Sequence, residues 1–185
     1  MTDQDKRRPT AVLTFIAGLA LGGLAGFAAA QMTGRSAVAD PWIDAGLVWE
    51  RLPGHVAAGP LPQTFAVPDK AYDYGASSAP LGPLLKGEPT LLRLQVEPTA
   101  GKVGLALASP DGAALLSGEA ALTPKDGKRA VYFRLGPATP PAIIVVRNYD
   151  NPGAAGAVVV NSATYAPVSA LSAGALSDIN RAGVH

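Results

Sequence analysis

Cysteine is absent from this sequence of 185 residues, which excludes disulfide bonds, a thiol nucleophile and thiolate ligands for a metal. Charged residues are scarce, at 16%, and the net charge is +1. The only basic cluster is Lys6-Arg7-Arg8, so we expect no nucleic-acid binding. The 21 glycines and 17 prolines favour turns and short strands over long soluble helices.

Residues typical of catalytic sites are also sparse. The two histidines, His55 and His185, have no acid at ligand or relay spacing, and we interpret both as surface residues. Ser77-Ser78 has no lysine or histidine base close in sequence, and we interpret the two serines as polar residues of a loop. No nucleophile elbow, phosphate-binding glycine loop or HExxH motif occurs. The sequence therefore predicts a protein that is not an enzyme and that has no cofactor and no metal.

One long apolar run stands near the N-terminus. Residues Ala11 to Ala30 carry no charge, and as a helix they would span about 30 Å, the hydrocarbon thickness of a bilayer. Lys6-Arg7-Arg8 precedes the run and only Arg35 follows it closely, which places the N-terminus in the cytoplasm. We predict a cytoplasmic N-terminus over 1–10 and a transmembrane helix over 11–31 that anchors the chain in the bilayer of the inner membrane. The C-terminal domain is then periplasmic.

A cleaved signal sequence is the alternative. Ala28-Ala29-Ala30 before Gln31 fits the small-residue cleavage pattern, and cleavage there would release the protein into the periplasm.

Small residues recur every fourth position within the apolar run, at Thr14, Gly18, Gly22, Gly26 and Ala30. In a helix they share one face, where a second helix can approach closely. This spacing predicts packing against a membrane-protein partner or self-association through the helix. Chance spacing in a chain rich in glycine and alanine is the other interpretation.

The remaining chain divides by composition into three parts. We predict a stalk over 32–62, a β-sandwich domain over 63–167 and a C-terminal tail over 168–185. Trp42 in the stalk lies close enough to the span to reach the headgroup layer. Residues 43–49 fit a short helix or a strand. In the tail, the spacing of four apolar residues fits a weak helix as well as disorder: Val168, Leu171, Ala175 and Ile179.

Period-two alternation dominates the middle of the chain. Leu92, Leu94 and Val96 alternate with polar residues, as in a half-buried strand. Further strands are predicted at Gln63–Val67, Ala113–Leu122 and around Val131, Phe133 and Leu135. Ile143–Val146 and Val158–Val160 are apolar throughout, so both of their faces should be covered. Turns are predicted at Ser109–Gly112 and Pro124–Gly127. The pattern indicates a mainly β protein, an antiparallel sandwich of about eight strands.

The stretch from Leu91 to Asn148 combines an alternating strand, a Gly-x-Val-Gly strand at Gly101–Gly104, an acidic-glycine turn and a late strand ending in Arg147-Asn148. Over about residues 89–165 it resembles the small jelly-roll, galactose-binding-like modules found beside bacterial FkbM-type methyltransferases and glycosyltransferases. The resemblance implies a non-catalytic jelly-roll sandwich linked to surface polysaccharide. No methyltransferase or glycosyltransferase domain accompanies it in this sequence.

Arg147-Asn148-Tyr149-Asp150-Asn151 is the most site-like stretch. It combines a guanidinium, two amides, a carboxylate and an aromatic ring, which are groups that bind sugars, and its oxygens also suit calcium. Tyr72 and Tyr74, on a long predicted loop, are further candidates. The structural alternative is a loop fixed by its own amides, with Arg147 paired to a carboxylate inside the fold and the tyrosines packed over a sheet edge.

Two functions follow from these features. The first is an accessory or interaction subunit of a membrane or envelope complex, held by its helix. The alternative is a glycan-binding module tethered at the envelope.

Overall fold

Two antiparallel β-sheets form the framework of the structure, a computed structural model that describes residues 40–51, 57–84 and 87–185. The predicted cytoplasmic N-terminus, the transmembrane helix with its small residues, and His55 lie outside the described residues. The strands are β1 (Ile43–Asp44), β2 (Trp49–Arg51), β3 (Ala57–Ala58), β4 (Gln63–Val67), β5 (Tyr74–Ser78), β6 (Thr90–Ala100), β7 (Val103–Ala108), β8 (Ala120–Leu122), β9 (Arg129–Leu135), β10 (Ile143–Asn148) and β11 (Gly156–Pro167).

Sheet A has the strand order β1-β11-β6-β9, with β4 also paired to β11. Sheet B has the order β3-β2-β5-β10-β7-β8. The mainly β, antiparallel fold is thereby confirmed. The strand number exceeds the predicted eight because β1, β2 and β3 are only two or three residues long, too short to produce an alternating pattern.

The alternating strands supply the core between the sheets. Leu92, Leu94 and Val96 of β6 face Ile144 and Val146 of β10, and all are buried. The largest fully buried side chains in the same cluster include Trp49, Phe65 and Phe133. Burial of apolar surface of this kind is the dominant favourable contribution to folding, and it replaces the disulfides that the chain lacks.

The predicted stalk over 32–62 differs from the structure from Pro41 onward. From Pro41 onward the chain belongs to the same compact unit as the sheets, and β1 and β2 pair with β11 and β5. Residues 43–49 form strands joined by a turn at Gly46, whose φ is +56°. Trp42 packs beside Tyr132, with the Arg93 guanidinium 4.1 Å from its ring centre, so its ring contacts the domain.

Three local expectations within the sandwich were wrong. Ser77-Ser78 lies in β5 rather than in a loop, where the Ser78 hydroxyl accepts a hydrogen bond from Ile144 N (2.9 Å). Of Ala113–Leu122 only β8 is a strand, because the side chains of Ser109 and Asp111 bind the backbone of the preceding loop. Val158–Val160 buries one face only, whereas Ile143–Val146 is buried on both, as predicted.

The C-terminal segment adopts the helical alternative. A helix runs over Ala173–Ala182, and the Ser172 hydroxyl caps it by accepting a hydrogen bond from Ala175 N. Leu171 and Ile179 are buried against Leu91 and Ala166 on the outer face of sheet A. Tertiary packing therefore supports a segment that is weakly helical by sequence. Among the described residues no helix is both long enough and apolar enough to cross a bilayer.

Candidate functional site

Two loops meet at one end of sheet B, one between β4 and β5 and the other between β10 and β11. Tyr72 N donates to Asn148 O, and Asn148 N donates to Asp73 O, each at 3.0 Å. Gly153 N donates to Asp69 O at 2.7 Å. These backbone bonds hold the two loops together and bring the predicted residues at 72–74 and 147–151 into one site.

Asn148 is the buried centre of these loops. Its side-chain amide donates to the carbonyls of Pro68 (2.7 Å), Asn151 (3.1 Å) and Ala154 (2.9 Å). Its Oδ1 accepts from Asn151 N at 3.0 Å. Because its polar atoms are engaged within the protein, Asn148 fixes the loop and is not presented to a ligand. For this residue the structure matches the structural alternative.

Arg147 pairs with a carboxylate, as that alternative also expected. Its Nε and Nη2 donate to the two carboxylate oxygens of Glu119 at 2.7 and 2.6 Å, and the exposed fractions of the two side chains are 14% and 10%. These hydrogen bonds raise the pKa of Arg147 above its ordinary value, against the opposing effect of burial. The guanidinium is therefore permanently charged and held in one orientation.

Tyr72 and Tyr74 lie beside Arg147, and Tyr149 meets Tyr72. We refer to Tyr72, Tyr74 and Tyr149 as the tyrosine cluster. The Arg147 Cζ atom lies 5.0 Å from the ring centre of Tyr72, and the Lys102 Nζ atom lies 4.5 Å from that of Tyr149. The rings of Tyr72 and Tyr149 meet edge to face, with centres 6.5 Å apart. Such cation–π and edge-to-face arrangements each contribute on the order of 1 kcal/mol.

A β-bulge directs Tyr74 into the site. Arg147 pairs with Tyr74 while Val146 pairs with Ala76, so Gly75 is the extra residue. The bulge moves Tyr74 to the outer face of sheet B, where it packs on Ala106, Ala108, Ile143 and Val145, and its hydroxyl donates to Gly112 O at 2.9 Å. Glycine is required here, since a Cβ at position 75 would lie 2.9 Å from Val67 Cα.

The backbone at Tyr72 and Asp150 adopts the left-handed region, with φ of +64° and +44°. These are the two non-glycine residues with positive φ among those that the structure describes. Aspartate tolerates this region, whereas a bulky tyrosine is an outlier there. Desolvation raises the pKa of Tyr72, and the charge and hydrogen bond of Asp150 raise it further. Residues in sparsely populated conformations occur preferentially at functional sites.

Tyr72 is the exposed member of the tyrosine cluster, with 48% of its surface accessible. Arg147 lies over one side of its ring, with the Cζ atom 5.0 Å from the ring centre. Tyr149 is half-buried and meets this ring edge to face. The site thus presents one aromatic surface on a framework of hydrogen bonds and ion pairs.

Two residues of the site were not among the predicted ones. They are Glu119 and Lys102, neither of which the sequence singled out. Their contacts with Arg147 and Tyr149 arise from the pairing of β7 with β10, which no local sequence pattern reveals. The Gly-x-Val-Gly strand was the available signal, because Gly104 pairs with Arg147 and leaves room for the ion pair.

The structure gives no support to calcium binding by the loop. Asn148 directs its side-chain oxygen to Asn151 N. Within residues 40–51, 57–84 and 87–185, no group of three or more histidine, cysteine or acidic side chains is arranged to hold a metal ion.

No protein-family model matches the chain, and no curated protein matches it. Among solved structures, it is similar to one described as "CBM4 structure and function", with 18% sequence identity and a TM-score of 0.43. The similarity covers 66% of this chain and 94% of the other. At this TM-score the likeness is too distant to indicate a shared function.

Proposed function

We propose that this protein is a non-catalytic β-sandwich module that binds envelope polysaccharide through the tyrosine cluster. The observation that carries the proposal is Tyr72, which stands at φ +64° with 48% of its surface exposed. A tyrosine ring presents an apolar face and a polar hydroxyl, which suits the alternating C–H faces and hydroxyls of a sugar ring.

The conformation of Tyr72 supports a ligand role over a packing role. Holding an L-residue in the left-handed region costs about 1–2 kcal/mol. A residue retained for packing would recover that cost through burial, yet half of Tyr72 is accessible to solvent. Arg147 and Tyr149 contact its ring while nearly half of the side chain stays accessible, as expected for a stacking platform.

Titration of the full-length protein with envelope polysaccharide tests the proposal. Tyr72→Ala should weaken binding by at least about tenfold, taking as a guide the loss of about 1–3 kcal/mol measured when a ring that stacks on a nucleobase is removed. Ile43→Ala is a matched control, since Ile43 is 50% exposed but lies on sheet A. Absence of polysaccharide binding, or equal effects of the two substitutions, would overturn the proposal.

We extend the proposal to location. The uncharged run 11–31 and the preceding Lys6-Arg7-Arg8 support a single anchor in the inner membrane with the sandwich in the periplasm. Mass spectrometry of the mature N-terminus tests this, because an anchored protein retains residues 1–30, whereas a secreted one begins near Gln31. Recovery of the processed form alone would replace the anchor with a cleaved signal.

The second candidate function is an accessory subunit of a membrane complex. Its support is the row of small residues from Thr14 to Ala30, which would allow a partner helix or a second copy to approach closely. Gly22→Leu should release the partner in detergent pull-downs, whereas Leu21→Ala should retain it. Unchanged association of the Gly22→Leu protein would remove this candidate and leave polysaccharide binding unaffected.

A further inference from the structure

The outer face of sheet A carries an arginine that its neighbours hold in one position. Arg93 of β6 lies between Thr164 of β11 and Tyr132 of β9 in the register of the sheet. Its Nε donates to Thr164 Oγ1 at 3.1 Å, and its Cζ atom lies 4.1 Å from the ring centre of Trp42. The Trp42 ring packs beside that of Tyr132, with centres 6.1 Å apart. We refer to Trp42, Arg93, Tyr132 and Thr164 as the Arg93 cluster.

Arg93 differs from Arg147 in having no carboxylate partner. None of the ion pairs formed within residues 40–51, 57–84 and 87–185 includes Arg93. On β1, Asp44 accepts a hydrogen bond from Gly46 N at 2.9 Å. The acid of β6 itself, Glu97, is exposed and lies about 13 Å along the strand. The paired donors of Arg93 are therefore available to an external anion, and a carboxylate or a phosphate suits them best.

Exposed apolar side chains adjoin the Arg93 cluster. Ile43 follows Trp42 in the chain and has 50% of its surface accessible, and Val48, between β1 and β2, has 53%. They are the most exposed large apolar side chains among the residues that the structure describes. Tryptophan is enriched at the headgroup layer of membranes, and arginine is attracted to anionic lipid. The combination of side chains therefore fits a phospholipid surface.

The sequence keeps the cluster within reach of a bilayer if 11–31 is the anchor proposed above, on which this inference rests. Residues 32–41 connect that run to Trp42, and even fully extended they span at most about 35 Å. Tethering of this kind gives a high effective concentration of lipid at the domain, so a weak contact is enough to orient it.

We infer that the Arg93 cluster binds the phosphate of an anionic phospholipid and holds the outer face of sheet A against the membrane surface. The paired donors of Arg93 bind the phosphate, the Trp42 ring lies at the headgroup level, and Ile43 enters the interface. The tyrosine cluster belongs to sheet B and its loops, so lipid and polysaccharide are bound on different sheets.

Quenching of tryptophan emission by brominated phospholipid tests this inference. The full-length protein is reconstituted into brominated vesicles of phosphatidylcholine alone or with about 30% phosphatidylglycerol. The chain has two tryptophans and Trp49 is fully buried in the core, so quenching reports on Trp42. We expect stronger quenching in the anionic vesicles, a difference that should disappear at about 300 mM NaCl. Trp42→Phe should abolish the quenching.

Three substitutions separate the role of Arg93 from that of net charge. Arg93→Gln should lower the fraction of protein in contact with anionic lipid about fivefold, which corresponds to about 1 kcal/mol. Arg93→Lys keeps the charge without the paired donors and should retain part of the contact. Lys125→Gln is the matched control, since it removes the same charge from an exposed lysine in the turn before β9, away from the cluster. The emission of Trp49 verifies the fold of each variant.

Equal quenching of the wild-type and Arg93→Gln proteins, or equal quenching in the two kinds of vesicle, would overturn the inference and leave the anchor and polysaccharide binding standing. A full-length protein that does not float with the vesicles would overturn the anchor itself, and this inference with it.

Discussion

Arg147 and Glu119 meet across Gly104. Arg147 lies in β10 directly opposite Gly104 of β7, and Glu119 precedes β8 on the other side of that strand. A Cβ at position 104 would lie 2.7 Å from the Glu119 Cδ atom, inside the space that the carboxylate occupies. The absence of a side chain at position 104 is what allows the ion pair to cross the strand.

Gly104→Ala should therefore displace Glu119 and leave Arg147 without its partner. We expect a loss of about 2–3 kcal/mol in the free energy of unfolding, since this charged pair is largely shielded from solvent. Urea denaturation measures the change. Gly118→Ala is the control, because a Cβ there would contact the His185 Nδ1 atom at an ordinary 3.7 Å.

A double substitution identifies the cause of that loss. In a Glu119→Ala background the carboxylate is absent, so adding Gly104→Ala should cost less than about 0.5 kcal/mol. An additional cost equal to that in the wild type would show that Gly104 serves the strand itself and not the ion pair.

We expect the Tyr72→Gly protein to be more stable than the Tyr72→Ala protein. Both substitutions remove the ring, but glycine adopts φ +64° without strain and alanine does not. We expect Tyr72→Gly to be about 1 kcal/mol more stable than Tyr72→Ala in thermal unfolding. At the neighbouring Lys70, where φ is not positive, the order should be reversed. A Tyr72→Ala protein as stable as Tyr72→Gly, or more stable, would show that the backbone at Tyr72 is unstrained.

Asn148 should be far more sensitive to substitution than Asn151. Asn148→Ala leaves the carbonyls of Pro68 and Ala154 without their short side-chain bonds at 2.7 and 2.9 Å, and should cost about 2–4 kcal/mol. Asn151→Ala removes a single side-chain bond of 3.5 Å and should cost less than about 1 kcal/mol. Comparable losses in chemical denaturation would argue against Asn148 as the centre of the loop.

Stability should fall in mild acid because of His185. This residue pairs with the edge of β9, through His185 N to Tyr132 O at 3.0 Å and Arg134 N to His185 O at 3.3 Å, and its ring lies beside Phe133. Burial lowers its pKa below the ordinary 6.5, and Arg129 lowers it further. Since the unfolded chain takes up a proton at 6.5 and the folded chain resists it, stability decreases as the pH falls below that value.

His185→Asn isolates this contribution. The free energy of unfolding, measured by urea at about pH 7.5 and about pH 5.5, should decrease less in the variant than in the wild type. Asp111 and Asp126, whose hydrogen bonds lower their pKa values, lose their stabilising effect only in stronger acid, so they do not contribute in this window. Equal losses in the two proteins would exclude His185 as the source.

The strands of the sandwich were predictable wherever one face of the strand is buried and the other faces solvent. Leu92, Leu94 and Val96 alternate with polar residues in the sequence, and burial alternates in the same way in β6. The predictions were wrong where a side chain, instead of a neighbouring strand, bonds to the backbone, or where the pairing partner is distant in sequence. Leu107 N donates to the Ser117 hydroxyl at 3.0 Å, and β8 is correspondingly short. Ser77 and Ser78 lie in a strand because β5 pairs with β10.

The candidate site was predictable in part for a different reason. Arg147, Tyr149 and Asp150 are contiguous, so their grouping needs no knowledge of topology. Their proximity to Tyr72 depends on hydrogen bonds between two loops about 75 residues apart, which become evident only once β5 and β10 are paired. Composition alone does not indicate which polar groups are hydrogen-bonded inside the loop, as those of Asn148 are.

The most direct test of the account uses the five tyrosines of the chain, of which three form the cluster and two, Tyr132 and Tyr165, lie on sheet A. Selective ring labelling separates their NMR signals during titration of the full-length protein with envelope polysaccharide. We predict that the signals of Tyr72 and Tyr149 shift in proportion to bound polysaccharide while those of Tyr132 and Tyr165 do not move. Unchanged signals for Tyr72 at saturating polysaccharide, or shifts confined to Tyr132 and Tyr165, would contradict the account.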